Sequence, residues 1–284
     1  MYTKPATDLS YEKFSEAFNA AYDGYIAGTF TTTPEYMIHF VKVNYVSLSR
    51  SLVMYDSETN EIIGFCIIAV RPDRPKLSRV ATFGIVPTHK GKGVGSKLIR
   101  EAIASERAHG TETLELECIQ ENTAALKLYQ KAGFKILREL AGYEGKASDE
   151  ALAEGTLAEP ELQDGDIEHI RGLVRKYASE DLPWQAWIAE ADETSKAFTL
   201  GHAHCIYKVP EGKDDIRLVT LFVEPEYRGK GEATRLAKAV AKKLNKYIVA
   251  AALYPKEYGQ GIAKSLGLKD LFISQYQMRV DLRE

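Results

Sequence analysis

HKGKGVGSKL, residues 89–98, places three glycines and three lysines within ten positions. It follows RVATFGIVP (79–87), a run of β-branched and aromatic residues that reads as a strand. It leads into Val94, Leu98, Ala102 and Ile103, which recur at helical spacing. A strand, a basic glycine turn and a helix in that order present unsatisfied backbone N–H groups at a helix N-terminus, where an anion is favoured. Glycine lets the chain approach phosphate closely, and Lys90 and Lys92 add charge. Two familiar phosphate loops do not fit. The pattern G-x-x-x-x-G-K-[ST] fails because Ser96 stands where its second glycine is needed after Gly91, and G-x-G-x-x-G fails at the same serine.

Working outward, residues 10–22 and 34–44 read as helices, with Thr33 and Pro34 as cap and first turn of the second. SLVMYD (51–56) and EIIGFCIIAV (61–70) are strand-like, separated by turn residues. Downstream, TLELECI (113–119) reads as a strand, NTAALKLYQKAG (122–133) as a helix closed by Gly133, and FKILREL (134–140) as a final strand. From Ala141 the chain is rich in Gly, Ala and acids without sustained period, which reads as a linker ending in an edge strand. The second half then repeats the first. PTHKGKGVGSKL (87–98) lies over PEYRGKGEATRL (225–236), and KAGFK (131–135) over SLGLK (265–269). Two motifs recurring in the same order indicate a duplicated domain. The expected boundaries are 1–145, a linker over 146–158, and 159–284.

Composition narrows the chemistry. A net charge of −3 over 284 residues gives no overall pull toward nucleic acid or an anionic membrane, and the aromatics are not interleaved with Lys and Arg. Cys66, Cys118 and Cys205 are odd in number, far apart and set in apolar runs, as reduced core thiols of a cytoplasmic protein would be. No Cys-x-x-Cys pair occurs, and His202 with His204 lacks a third ligand, so no metal is expected. No run approaches the ~18 apolar residues of a membrane span. The sequence specifies no oligomeric state.

The turn KGKGVG (90–95), its sister RGKGEA (228–233), the spacing LEC-x-x-x-N (116–122) and N-x-x-A-x-x-L-Y-x-x-x-G-F (Asn122 to Phe134) together resemble the GNAT superfamily of N-acetyltransferases. Lys90 departs from the family's usual Arg or Gln. The resemblance implies an α+β fold of two tandem GNAT-like domains, each a mixed, mostly antiparallel β-sheet flanked by helices. It implies acetyl-CoA as cosubstrate and an amine-bearing small molecule or peptide as acceptor. Lys90, Gly91, Lys92, Gly93, Val94, Gly95 and Ser96 would hold the pyrophosphate, largely through the backbone amides of 91–96. Ile85 and Val86 would splay from the neighbouring strand to meet the pantetheine arm, with an N–H near Val86 as oxyanion donor. Asn122 would hold the other side of the cofactor, and Tyr129 stands where the family carries its general acid.

The strand before the turn has no carboxylate, which leaves Glu117 as the nearest candidate base. Tyr25 and Phe30, among the aromatics of AYDGYIAGTFTTTPEY (21–36), are candidate walls of the acceptor pocket. In the second copy Glu232 enters the helix's first turn, Ala263 replaces Tyr129 and Lys256 replaces Asn122, so the first copy is expected to do the chemistry. The rival reading is a non-catalytic acyl-CoA-binding or sensing protein on the same scaffold.

Overall fold

The computed structural model describes residues 1–28, 31–153, 162–177, 182–188 and 190–283. In chain order the first part carries β1 (Tyr2–Pro5), α1 (Tyr11–Ala21), α2 (Pro34–Val43), β2 (Leu52–Tyr55), β3 (Ile62–Arg71), β4 (Arg74–Ile85), α3 (Val94–Ala108), β5 (Thr113–Ile119) and α4 (Thr123–Lys131). There follow β6 (Lys135–Gly145), α5 (Asp149–Ala153), β7 (Gln163–Asp164), α6 (Ile167–Tyr177), α7 (Trp184–Ile188), β8 (Ser195–Leu200) and β9 (Ala203–Lys208). The chain ends with β10 (Asp215–Val223), α8 (Glu232–Leu244), β11 (Tyr247–Pro255), α9 (Lys256–Leu266), β12 (Lys269–Asp270) and β13 (Gln275–Asp281). Two compact units result, Met1–Leu137 with Tyr276–Glu284, and Arg138–Gln275.

In the first unit the strand order is β1-β2-β3-β4-β5-β13. The pairs from β1 to β4 are antiparallel and β4–β5 is parallel. Strand β3, IIGFCIIAVR, is buried along nearly its whole length because both faces are covered. Cys66 and Ile68 meet Val94, Leu98, Ile99 and Ala102 of α3, while Phe65 and Ile67 meet Phe14, Ala17, Phe18 and Ala21 of α1. Each such fully buried aliphatic or aromatic side chain contributes roughly 1.5–3 kcal/mol. Helices α1 and α2 start where hydroxyls cap them: Ser10 Oγ accepts from Lys13 N–H, and Thr33 Oγ1 from Tyr36 N–H, each at 3.3 Å. At the far end of α3, fully buried Glu106 accepts from Arg50 Nε (2.9 Å), Arg50 Nη2 (2.5 Å) and Thr111 Oγ1 (2.8 Å), which satisfies a charge that would otherwise be costly.

The second unit has the order β7-β8-β9-β10-β11-β6, with β12 beside β6. Here β10–β11 is the parallel pair. Both units are therefore α+β, each with a parallel step, β4–β5 or β10–β11, beside antiparallel pairs.

The units do not follow the boundaries read from the sequence at 145 and 159. Residues 138–145 of β6 belong to the second unit, where β6 pairs antiparallel with β11 from Ile248↔Gly145 to Pro255↔Leu140. The first unit is completed instead by β13, from the end of the chain. The supposed linker start, AGYEG, is thus strand. A Cβ on Gly142 would lie 2.4 Å from Leu271 Cδ1 and 2.7 Å from both Ala250 O and Ala252 N, so glycine there serves close strand approach rather than flexibility. Helix α5 occupies part of the remaining expected linker, and residues 154–161 lie outside the described ones. Among the described residues no helix is long and apolar enough to cross a membrane.

Candidate active site

Strand β4 pairs with β5 only at Leu77↔Thr113, Ser78↔Leu114 and Arg79↔Glu115, whereas its pairing with β3 continues to Ile85. Beyond Arg79 the two parallel strands part, leaving the β5-facing edge of β4 open. A bulge in this stretch sets Ile67 opposite Thr82 and Ile68 opposite Val80, so Ala81 is skipped. The Val86 N–H donates to Ile63 O at 3.1 Å and is therefore spent on β3. Backbone groups of successive strand residues face opposite edges, so the N–H and C=O of Ile85 turn toward the open side. Of Ile85 and Val86, both expected at the pantetheine arm, Ile85 is the one whose N–H faces the open edge. The Tyr22 hydroxyl lies on the same stretch, bonded to Thr82 Oγ1 (2.8 Å) and to Phe83 O (3.2 Å).

Directly after β4 comes a single 3₁₀ turn (Pro87–His89) and then the glycine turn. Gly91 (φ 77°) and Gly93 (φ 80°) are both left-handed, and a Cβ on either would meet nothing within 4 Å. The turn needs glycine for its dihedral angles and leaves open space beside it. Gly93 is the N-cap of α3, and no side-chain hydrogen bond caps that end. The first-turn amides, with exposed Lys90 and Lys92 alongside, form an uncapped positive end. Val94 is buried and anchors the helix, while Gly95 lets α4 approach: a Cβ there would sit 3.3 Å from Leu128 Cδ2.

The sister turn in the second unit has the same backbone, with Gly229 at φ 74° and Gly231 at φ 78°. Its side chains are committed differently. Arg228 Nε donates to Val223 O (2.9 Å), Lys230 Nζ to Glu226 O (3.1 Å), and Glu232 Oε2 accepts from His202 N–H (3.3 Å). A carboxylate already stands at that helix end.

Across the first unit's gap, Asn122 caps α4, its Oδ1 accepting from Ala125 N–H at 3.1 Å. Its side chain lies beside the Tyr25 hydroxyl and partly offsets the rise that burial causes in that phenol's pKa. Tyr25 is thereby brought to the site from the loop after α1. Tyr129 is 7 % exposed, its ring edge-on to Phe83 and Phe134 with centroids 5.8 Å away in each case. Burial pushes its hydroxyl well above the ordinary value of 10.0, so the phenol stays protonated and is a hydrogen donor. Burial likewise pushes the Cys118 thiol up to about 12, which keeps it neutral and unsuited to nucleophilic attack. Phe30 lies outside the described residues, and Tyr36 is half exposed on α2, stacked on Phe40.

Glu117 is not an open carboxylate. Its side chain is 3 % exposed and paired with Arg79, whose Nε and Nη2 reach Glu117 Oε2 at 2.6 and 2.5 Å. Only Glu117 Oε1 remains without a partner, as does Arg79 Nη1. Beside this pair, buried Glu115 accepts from Arg279 Nε (2.8 Å) and Gln277 Nε2 (3.4 Å) of β13. Arg79, Glu115, Gln277 and Arg279 escaped the sequence reading. The alternation Leu114-Glu115-Leu116-Glu117 was the available signal, since it puts both carboxylates on the face opposite the leucines. Among the described residues no group of three or more His, Cys, Asp or Glu side chains could hold a metal ion.

A mycothiol acetyltransferase of Corynebacterium glutamicum (strain R) is 31 % identical over 103 residues, covering 36 % of this chain and 34 % of that protein. A [ribosomal protein bS18]-alanine N-acetyltransferase of Haemophilus influenzae is 39 % identical over 77 residues, covering 27 % of this chain and 50 % of that one. The matches thus span a third to a half of those relatives. In fold, a GCN5-related N-acetyltransferase from Sphaerobacter thermophilus superposes with a TM-score of 0.65 at 12 % identity, covering 100 % of this chain and 96 % of its own. A tandem GNAT protein from the clavulanic acid biosynthesis pathway gives 0.62 at 14 %, covering 99 % and 98 %. The profile of the acetyltransferase (GNAT) family matches residues 11–134 and 154–259, most of both halves, and the chain belongs to that family.

Proposed function

We propose that the first unit is an acetyl-CoA-dependent N-acetyltransferase that passes an acetyl group directly to a primary amine of a small molecule or peptide. The observation that carries this reading is the combination of an open β4 edge ending in the uncapped glycine turn with a buried, protonated Tyr129 across the gap. The residues fit the cosubstrate. The amides of 91–96, with Lys90 and Lys92, suit its pyrophosphate; the edge of Ile85 suits an extended amide-bearing arm; and Asn122 closes the other side. When bound, acetyl-CoA supplies a thioester carbonyl open to a neutral amine. The Ile85 N–H donates to that carbonyl oxygen as negative charge builds on it. Tyr129 holds the proton for the departing sulfur. Glu117 has one oxygen left, Oε1, to take a proton from the incoming amine, and Tyr25 borders the acceptor side.

The second unit lacks the Tyr129 and Asn122 equivalents and carries its own carboxylate at the helix end, so we assign it a non-transferring role. Thiol release from acetyl-CoA over a panel of amines tests the proposal. Turnover on at least one amine is expected; tight coenzyme binding without turnover on any amine favours the sensing role instead.

A pH profile follows from Tyr129. The neutral phenol is the working form, and its raised pKa keeps it neutral through pH 10. The reactive fraction of amine grows as pH rises. The expected kcat/KM therefore climbs by about one log unit per pH unit below the amine's pKa and then levels, without an alkaline fall. A descending limb below pH 10 would mean that a different acid, or a perturbed lysine, governs the reaction.

A further inference from the structure

The free edge of β4 is not free along its whole length. From Thr82 to Val86 the strand runs regularly beside β3, because the bulge at Ala81 lies before this stretch. Phe83 therefore presents its N–H and C=O on the same side as Ile85, toward the gap. That carbonyl is already engaged, since the Tyr22 hydroxyl donates to Phe83 O at 3.2 Å. The same hydroxyl meets Thr82 Oγ1 at 2.8 Å, and Thr82 is itself buried. Tyr22 closes the end of α1, its ring stacked on Phe18 with centroids 4.4 Å apart and set edge-on to Tyr25 at 4.9 Å. Burial pushes its phenol up to about 12, so the hydroxyl stays protonated and keeps its bond to Phe83. After burial itself, the neighbouring Cys118 and Tyr22 add to the rise at Tyr129, so these groups converge on one gap.

The direction of the coenzyme gives this position its meaning. The glycine turn follows β4 almost directly, so an arm that starts at residues 91–96 and lies on the β4 edge runs back toward the strand's beginning. It meets Ile85 first and Phe83 next, two residues or about 6.7 Å further on. With the thioester carbonyl on the Ile85 N–H, the acyl carbons point toward Phe83, where the Tyr22 hydroxyl stands. A carbon in contact with that oxygen lies ~3.5–4.0 Å from it. About 3 Å of the interval remains, enough for a methyl group and little more.

With acetyl-CoA placed as proposed above, we infer that Tyr22 sets the length of the transferred acyl group. Seated on Phe83 O and Thr82, it ends the usable edge of β4 just beyond the thioester. Two carbons fit and longer chains meet the hydroxyl. Tyr22 is thus a specificity-determining residue that takes no part in moving a proton.

The test titrates the full chain with acetyl-CoA, propionyl-CoA and butyryl-CoA by calorimetry, and measures thiol release from each with the amine that turns over fastest. Wild type is expected to favour acetyl-CoA, each added methylene weakening binding and kcat/KM by about tenfold or more. Tyr22→Phe keeps the ring and its stacking and removes only the oxygen. It is expected to shrink the propionyl penalty about three- to tenfold. Tyr22→Leu vacates more space and is expected to extend the gain to butyryl-CoA; it is scored only where its thermal unfolding is cooperative. Wild type that binds all three donors equally overturns the inference. So does a Tyr22→Phe chain that weakens all three in proportion, since a residue that only supports the fold would leave their ratios unchanged. The binding ratios need no chemistry. Selective binding of acetyl-CoA without turnover on any amine would remove the transferase reading and uphold the acyl limit, whereas absence of acyl-CoA binding would overturn both.

Discussion

Tyr129→Phe is expected to lower kcat for acetyl transfer by about 10²–10⁴-fold, the range a positioned general acid supplies. The ring is held by edge contacts to Phe83 and Phe134, both of which a phenylalanine keeps. The melting temperature and the KM for acetyl-CoA should therefore move little. What is lost is a proton at one atom, where the sulfur departs. That origin has a signature of its own: an acetyl thioester of a more acidic thiol needs less protonation and should lose far less rate in the variant. Steady-state thiol release with both thioesters checks this. An equal loss with both would mean that Tyr129 shapes the site rather than protonating the leaving group.

Arg79→Met is expected to destabilise the first unit by about 3–5 kcal/mol, the usual cost of leaving a buried charge unpaired. The partner it abandons, Glu117, is 3 % exposed on its side chain, and Glu115 stands two residues away on the same strand face. With the guanidinium gone, Arg279 is the remaining cation bonded within that group. Burial, opposed by the Arg279 charge and its hydrogen bonds, already raises the Glu115 carboxyl above its ordinary value, and the neighbouring Glu117 charge adds to the rise. Replacing both members, Arg79→Met with Glu117→Leu, should restore most of the stability, since the pair's desolvation cost disappears with it. Denaturant unfolding of the three chains decides the matter. A loss below about 1 kcal/mol in the single variant would place the pair in solvent-like surroundings.

The helix starts at Gly93 and Asn122 were legible in the sequence because they are local. A left-handed Gly93 before a helix and an Asn at a helix start are decided by their immediate neighbours. Strand partnership is not. Nothing within Lys135–Gly145 indicates that residues 138–145 pair with β11, and Ala141-Gly142 resembles linker because close strand contact and chain flexibility call for the same residue. The edge that Val86 faces was out of reach for a related reason. Strand parity is reversed by a one-residue bulge, and the bulge at Ala81 is fixed by β3, not by the sequence VATFGIV itself. The Arg79–Glu117 pair joins residues 38 positions apart across a parallel step, which no local pattern announces. The duplication was visible in its motifs, yet the origin of each unit's last strand was not.

The placement of the active centre depends on which glycine turn binds the coenzyme. Its most direct test is acetyl-CoA turnover by Gly93→Glu beside Gly231→Glu. Both positions are left-handed and open, so each variant carries the same backbone strain, of order 1–3 kcal/mol, and the same added carboxylate. Gly93→Glu should abolish measurable turnover at wild-type coenzyme concentrations, and Gly231→Glu should retain it within a few-fold. Turnover surviving in Gly93→Glu and lost in Gly231→Glu would contradict the placement of the active centre in the first unit.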